Sequence, residues 1–199
     1  MVKTVKQHQK VVRLIACAVF KPALDFLALK KRYPHLKITY LPSYLHLKPQ
    51  ELQKRLLKEI IKARKGEEQI VCLYGDCFPD IEEFCRRHEA VKVPGHYCYE
   101  MLLGPERFKQ YLDEIAGTYF LEQDVIQNFE TYCMKPLGLR DEEMRRYCFE
   151  HYKRVLYIKQ PDDVDLESKV CDIADFLDLY MDASDADYSY LENRLAELI

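Results

Sequence analysis

Gln69-Ile-Val-Cys-Leu-Tyr-Gly-Asp-Cys-Phe-Pro-Asp80 is the stretch from which the fold can be read. Residues 70–73 form a short apolar run rich in β-formers, too short for a helix, and read as a buried strand. Tyr74, Gly75, Asp76 and Cys77 end that run with a glycine turn and a thiol. Pro79 and the acids after it open a helix. In an open parallel sheet, such a strand–turn–helix junction lies where ligands bind.

The same alternation extends in both directions. Residues 11–20 read as a first strand, and Lys21-Pro22 opens an amphipathic helix with Leu24, Leu27, Ala28 and Leu29 facing inward. Residues 36–41 are a second strand followed by a loop over 42–49. Leucines and isoleucines at 52, 56, 57, 60 and 61 mark a helix over 50–65, closed by Gly66. After the central stretch come a helix at 80–88, a short strand at 90–93 and the loop Pro94-Gly-His-Tyr-Cys98. A helical pattern over 99–115 is split at Gly104-Pro105, and 117–121 is a fifth strand. Helices at 124–134 and 141–153 flank Pro136-Leu-Gly138. A sixth strand (154–159), a helix (167–179), a short strand (180–182), an acidic loop (Asp182, Asp185, Asp187) and a last helix from Tyr190 follow. Strands alternating with helices predict an α/β, Rossmann-like fold, a mostly parallel sheet with helices on both faces. One domain over 1–199 is expected, with a core at 11–121 and a helical and α/β extension at 122–199.

Hydrophobic residues make up 48% of the chain, enough for a core, and the net charge of −3 gives no electrostatic case for nucleic acid. No apolar run reaches the roughly 18 residues that span a membrane. The opening residues 1–10 are basic but lack the pattern of a signal peptide, so the chain reads as cytoplasmic. In that compartment the eight cysteines are expected to be reduced.

Position singles out four residues among them. Cys17 follows the core of the first strand, His46 lies beyond the second, Cys77 beyond the third and Cys98 beyond the fourth. In a parallel sheet these ends share one edge, and in a strand order 2-1-3-4 Cys17 and Cys77 flank the switch point. Thiolates and imidazole bind zinc and iron–sulfur clusters. Helix N-termini behind Cys77 and Cys98 would favour the thiolate. No CxxC pair adds local support. Packing is the competing reading: Cys17 sits in an apolar strand, and Cys72, Cys85, Cys133, Cys148 and Cys171 read as small core residues. Tyr74, Gly75, Asp76 and His96 are expected around the site, with Asp76 as a hydrogen-bond acceptor or a turn residue and His96 as a rival ligand to Cys98.

Several blocks of the chain resemble the domain-of-unknown-function 1638 family in the family's order. They are Leu14-Ile-Ala-Cys17, Tyr40-Leu-Pro-Ser-Tyr-Leu-His46 with Pro49, Leu73-Tyr-Gly-Asp-Cys77, Cys98 before Leu102-Leu-Gly104, and Gly117-Thr-Tyr-Phe-Leu121. The resemblance implies a cysteine at 17, 77 and 98 and the Leu-His pair at 45–46. It departs at Tyr97-Cys98, where Asp-Cys is usual, and at Glu122-Gln-Asp-Val125, where a tryptophan is usual. The family's frequent setting beside corrinoid-dependent methyltransferase components implies a link to one-carbon metabolism, without a reaction.

Four functions follow from these residues. The first is a metal-binding protein in which Cys17, Cys77 and Cys98, with His46 or an outside group, hold zinc or an iron–sulfur cluster. The second is a non-catalytic accessory module for a corrinoid protein, a methyltransferase component or a small ligand. The third, thiol redox chemistry at Cys77, lacks the usual CxxC. The fourth is a fold whose cysteines only pack.

Overall fold

Apolar strands buried on both faces need a partner on each side and cover above and below, which a parallel sheet wrapped by helices supplies. The computed structural model describes residues 10–161 and 163–199; the basic opening stretch, through residue 9, lies outside the described residues. The first half runs β1 (Val12–Cys17), a 3-10 turn (Ala18–Phe20), α1 (Lys21–Phe26), α2 (Leu29–Arg32) and β2 (Leu36–Leu41). A second 3-10 turn (Ser43–Leu47), α3 (Pro49–Lys65), β3 (Gln69–Leu73), α4 (Ile81–Arg87) and β4 (Val91–Lys92) follow. These strands form one sheet in the order β2-β1-β3-β4, every pairing parallel, with Ala16 of β1 between Tyr40 of β2 and Leu73 of β3. Leu14, Ile15 and Ala16 are wholly buried, as a central strand covered on both faces requires.

The second half holds α5 (Cys98–Leu103), α6 (Pro105–Glu114), β5 (Thr118–Leu121) and α7 (Gln123–Gln127). A π-helical turn (Glu130–Met134) leads into α8 (Lys135–Leu137), and α9 (Glu142–Phe149), β6 (Arg154–Lys159), α10 (Glu167–Leu177), β7 (Tyr180–Asp185) and α11 (Ser189–Leu198) follow. Here β5, β6 and β7 make a second parallel sheet in that order. Its period-2 alternation divides its side chains between two cores. Phe120, Leu156 and Ile158 join the core of the first sheet, while Leu121, Val155 and Tyr157 pack with Val125, Ile126, Val170 and Ile173. Leu191 and Leu195 of α11 return to the first core.

The fold is α/β and Rossmann-like, as the alternation predicts, but its strands divide between two sheets. Asp182 and Asp185 belong to β7 instead of a loop; Asp182 lies 3.2 Å from the buried guanidinium of Arg154 on the neighbouring strand. The first helix is broken at Ala28, whose left-handed backbone (φ 50°) separates α1 from α2. Among the described residues no helix is long and apolar enough to cross a membrane.

Candidate functional site

The turn after β3 and the loop after β4 touch through a glycine. A β-carbon on Gly75 would lie 2.7 Å from the carbonyl oxygen of His96 and 3.2 Å from the backbone nitrogen of Cys98, so only glycine allows the approach. The Asp76 N–H donates to the His96 carbonyl at 2.7 Å. The Asp76 carboxylate meets His96 Nδ1 at 2.8 Å and Lys92 Nζ at 3.3 Å, and Lys92 also donates to the Gly95 carbonyl. This clasp sets Cys77 beside Cys98. Gly75→Ala is expected to destabilise the fold by about 1–3 kcal/mol, because the neighbour is backbone with no rotamer to yield. Urea unfolding checks this, and equal midpoints would mean that the two loops are free to part.

A cavity of about 340 Å³ opens beside the clasp, between the strand ends of the first sheet and the start of α7. Cys17, His46, Cys77 and Cys98 all line it, with Gly75, Asp76 and His96, so the strand ends of the first sheet and the loops after them bring these residues to one place. Tyr97, Tyr99, Val19 and Val125 supply apolar wall. Tyr99 stacks on Phe120 of the second sheet at 5.7 Å between ring centres. None of the other five cysteines lines the cavity. Cys72, Cys85 and Cys133 are buried and Cys148 is half-buried, but Cys171 is exposed on α10, so the packing expected of it is not found.

The thiols stand in unlike environments. The Cys77 thiol is shifted below its ordinary range: a hydrogen-bonding contact with Cys98 outweighs the opposing effect of burial, and the charge of Lys92 adds to it. Cys98 is pushed well above the usual thiol range by that same contact and by burial. Although Cys98 opens α5, its thiol is held protonated, contrary to the helix-terminus expectation; α4 begins only at Ile81, beyond Cys77. Burial drives Cys17 up to about 12, and the charges of Cys77 and Glu122 push the same way. Burial also works against ionised Asp76, but the hydrogen bond from His96 and the charge of Lys92 hold it below its ordinary range. Tyr74, buried behind the turn, is raised by desolvation and then by the thiol charges of Cys17, Cys72, Cys77 and Cys98. Its hydroxyl has no hydrogen-bond partner among the described residues.

His46 stands at the mouth, exposed on the turn after β2. Its Nδ1–H donates to the Ser43 carbonyl at 2.7 Å, leaving Nε2 as the free lone pair, and its ring meets Tyr132 edge-on. Position along the chain finds these residues but misses Glu122. This residue follows β5, lines the cavity and is 1% exposed; its carboxylate accepts from the N–H groups of Asp124 (2.9 Å) and Val125 (3.0 Å) as the cap of α7. Burial raises it to about 7 against those two bonds. The signal was available, since an acid immediately after a strand and before a helix is the strand-end argument carried to the fifth strand. Ser43 was also missed; its hydroxyl bonds the carboxylate of Asp124, tying the turn after β2 to α7.

Among the described residues, no group of three or more His, Cys, Asp and Glu side chains is placed so that it could hold a metal ion. The donors line one cavity without forming a closed cage.

No curated protein and no solved structure matches the chain. One family model, described as "Protein of unknown function (DUF1638)", matches residues 40–195, from the end of β2 to α11, and so includes His46, Cys77, Cys98 and Glu122. The match covers most of the chain, which therefore belongs to the DUF1638 family.

Proposed function

We propose that this protein binds a soft metal ion through Cys17, Cys77 and Cys98. The observation that supports it most is that three thiols carried by different strand–helix junctions line a single cavity. Thiolate sulfur is the donor that zinc and iron sites take. A bound ion would need deprotonated sulfur, so Cys17 and Cys98 would give up their protons to hold it. A bound zinc ion would supply Lewis acidity toward a substrate thiol or water. The chain's own part is to present sulfur, to hold Cys77 through Lys92 and Asp76, and to shield the floor of the cavity from bulk water.

Of the two metal readings, zinc is preferred to an iron–sulfur cluster. Three cysteines and an outside group make up the four-donor set that a single zinc ion takes, with no further ligand needed from the chain. The setting in corrinoid-linked one-carbon metabolism rests on the family resemblance alone. A binding module without turnover is the second reading, favoured by a larger groove of about 730 Å³ that adjoins the site and shares Asp76 and Cys77 with it. Elemental analysis and a visible spectrum of protein purified without oxygen decide between them. Colourless protein with about one zinc per chain is the expected result. Brown protein with iron and labile sulfide would replace zinc by a cluster, and metal-free protein with all thiols free would sink the metal reading and leave the binding module.

A further inference from the structure

We propose that Cys77 and Cys98 act as a dithiol pair that reduces small cationic or neutral disulfides, with Cys77 as the attacking sulfur and Cys98 as the resolving one. The inference stands apart from metal binding, since it uses two of the thiols and no ion. Three features of the structure carry it.

The first is juxtaposition. The two thiols come from different loops, so no CxxC motif announces them, yet they stand in hydrogen-bonding contact. Their closeness is built into the backbone. The turn at 75–77 lies directly on the loop at 96–98, through the missing side chain of Gly75 and the Asp76 N–H bond to the His96 carbonyl.

The second is access. Cys77 lines both the cavity and the adjoining groove of about 730 Å³, whereas Cys98 lines the cavity alone. A disulfide entering by the groove therefore meets Cys77 first and finds Cys98 behind it. Cys72 and Cys85 are also in hydrogen-bonding contact, but both are wholly buried between β3 and α4 and open on neither space. Contact without access makes that pair an internal control. The third is charge. Asp80, Glu82 and Glu83 line the groove with Arg86, which is itself bonded to Glu83 at 2.7 Å. The excess of acid favours the approach of a cation over that of an anion.

The exchange balances without another reactant. The Cys77 sulfur attacks one sulfur of the substrate, the S–S bond breaks, and the first thiol leaves with one proton. The Cys98 sulfur then attacks that of Cys77, expels the second thiol with the other proton, and leaves a Cys77–Cys98 disulfide. Two electrons pass from the pair to the substrate, and both protons come from the pair's own thiols.

Full-length protein, fully reduced and kept free of metal by a chelator, is treated with cystamine, a doubly cationic disulfide, and its cysteines are mapped by peptide mass. Cys77 should be joined to Cys98 with no cysteamine left on it, while Cys72 and Cys85 remain thiols. In Cys98→Ser the cysteamine adduct on Cys77 should last at least about tenfold longer. Glutathione disulfide, which is anionic, should react with Cys77 about tenfold or more slowly than cystamine at low salt. An unreacted Cys77, a lasting adduct on it in the unaltered protein, a bond from it to Cys17, or prior oxidation of Cys72 and Cys85 would overturn the pairing. Equal rates with the two disulfides would overturn the charge preference. With no ion present, none of these outcomes depends on the metal-binding reading.

Discussion

Cys77→Ser is expected to lower zinc affinity by at least about a hundredfold, roughly 3 kcal/mol, whereas Cys148→Ser leaves it unchanged. The contact with Cys98 and the charge of Lys92 lower the pKa of the Cys77 thiol against the opposing effect of burial. Serine keeps the shape of the side chain but replaces a polarisable thiolate with a hydroxyl that stays protonated at neutral pH, so the hard donor cannot replace the soft one. The change should be tolerated by the fold, because Cys77 is only half-buried and belongs to a turn. Cys148 lies on α9, away from the cavity, and controls for the loss of any thiol. Zinc content after dialysis against a weak chelator measures both proteins, and equal retention would remove Cys77 from the site.

Glu122 makes a second large effect visible in metal-free protein. Its folded pKa of about 7 stands above the value of 4.5 expected in the unfolded chain. Between these two values the folded protein keeps a proton that the unfolded chain has released. Stability contributed by this group is therefore greatest below pH 4.5 and falls as pH rises to about 7, by on the order of 3 kcal/mol. Glu122→Gln removes the fall, so wild type should lose stability relative to the variant between pH 5 and pH 8. Asp76 and His96 titrate in both proteins, so the difference between the two curves isolates Glu122. Urea unfolding at the two pH values measures it, and parallel curves would show that Glu122 ionises freely in the folded state.

The first sheet was legible because its strands are short apolar runs punctuated by Gly66, Gly75 and Pro94, and because sequential βαβ units leave few orders to choose from. Cys77 and Cys98 could be placed together from that order alone. Membership of β5 in a separate sheet was not legible. Residues 118–121 read like any other buried strand, and which strand they pair with depends on β6, more than thirty positions later. The break at Ala28 carries no glycine or proline to announce it. Glu122 was not legible for a different reason: an acid just ahead of a helix reads as an ordinary cap, and the cap of α7 is what its carboxylate forms.

The return of α11 to the first half has a consequence for how the protein is made. The strands of the first sheet leave the ribosome early, yet Leu191 and Leu195, which close part of their core, emerge only after the whole second sheet has been synthesised. At translation rates of about 5–20 residues per second, the nascent first half waits several seconds with apolar surface uncovered. Until then its thiols belong to an unfinished compartment. A ribosome stalled between β5 and β7 should therefore carry a chain that protease cuts readily and that chaperones hold, even though four paired strands are already outside the exit tunnel.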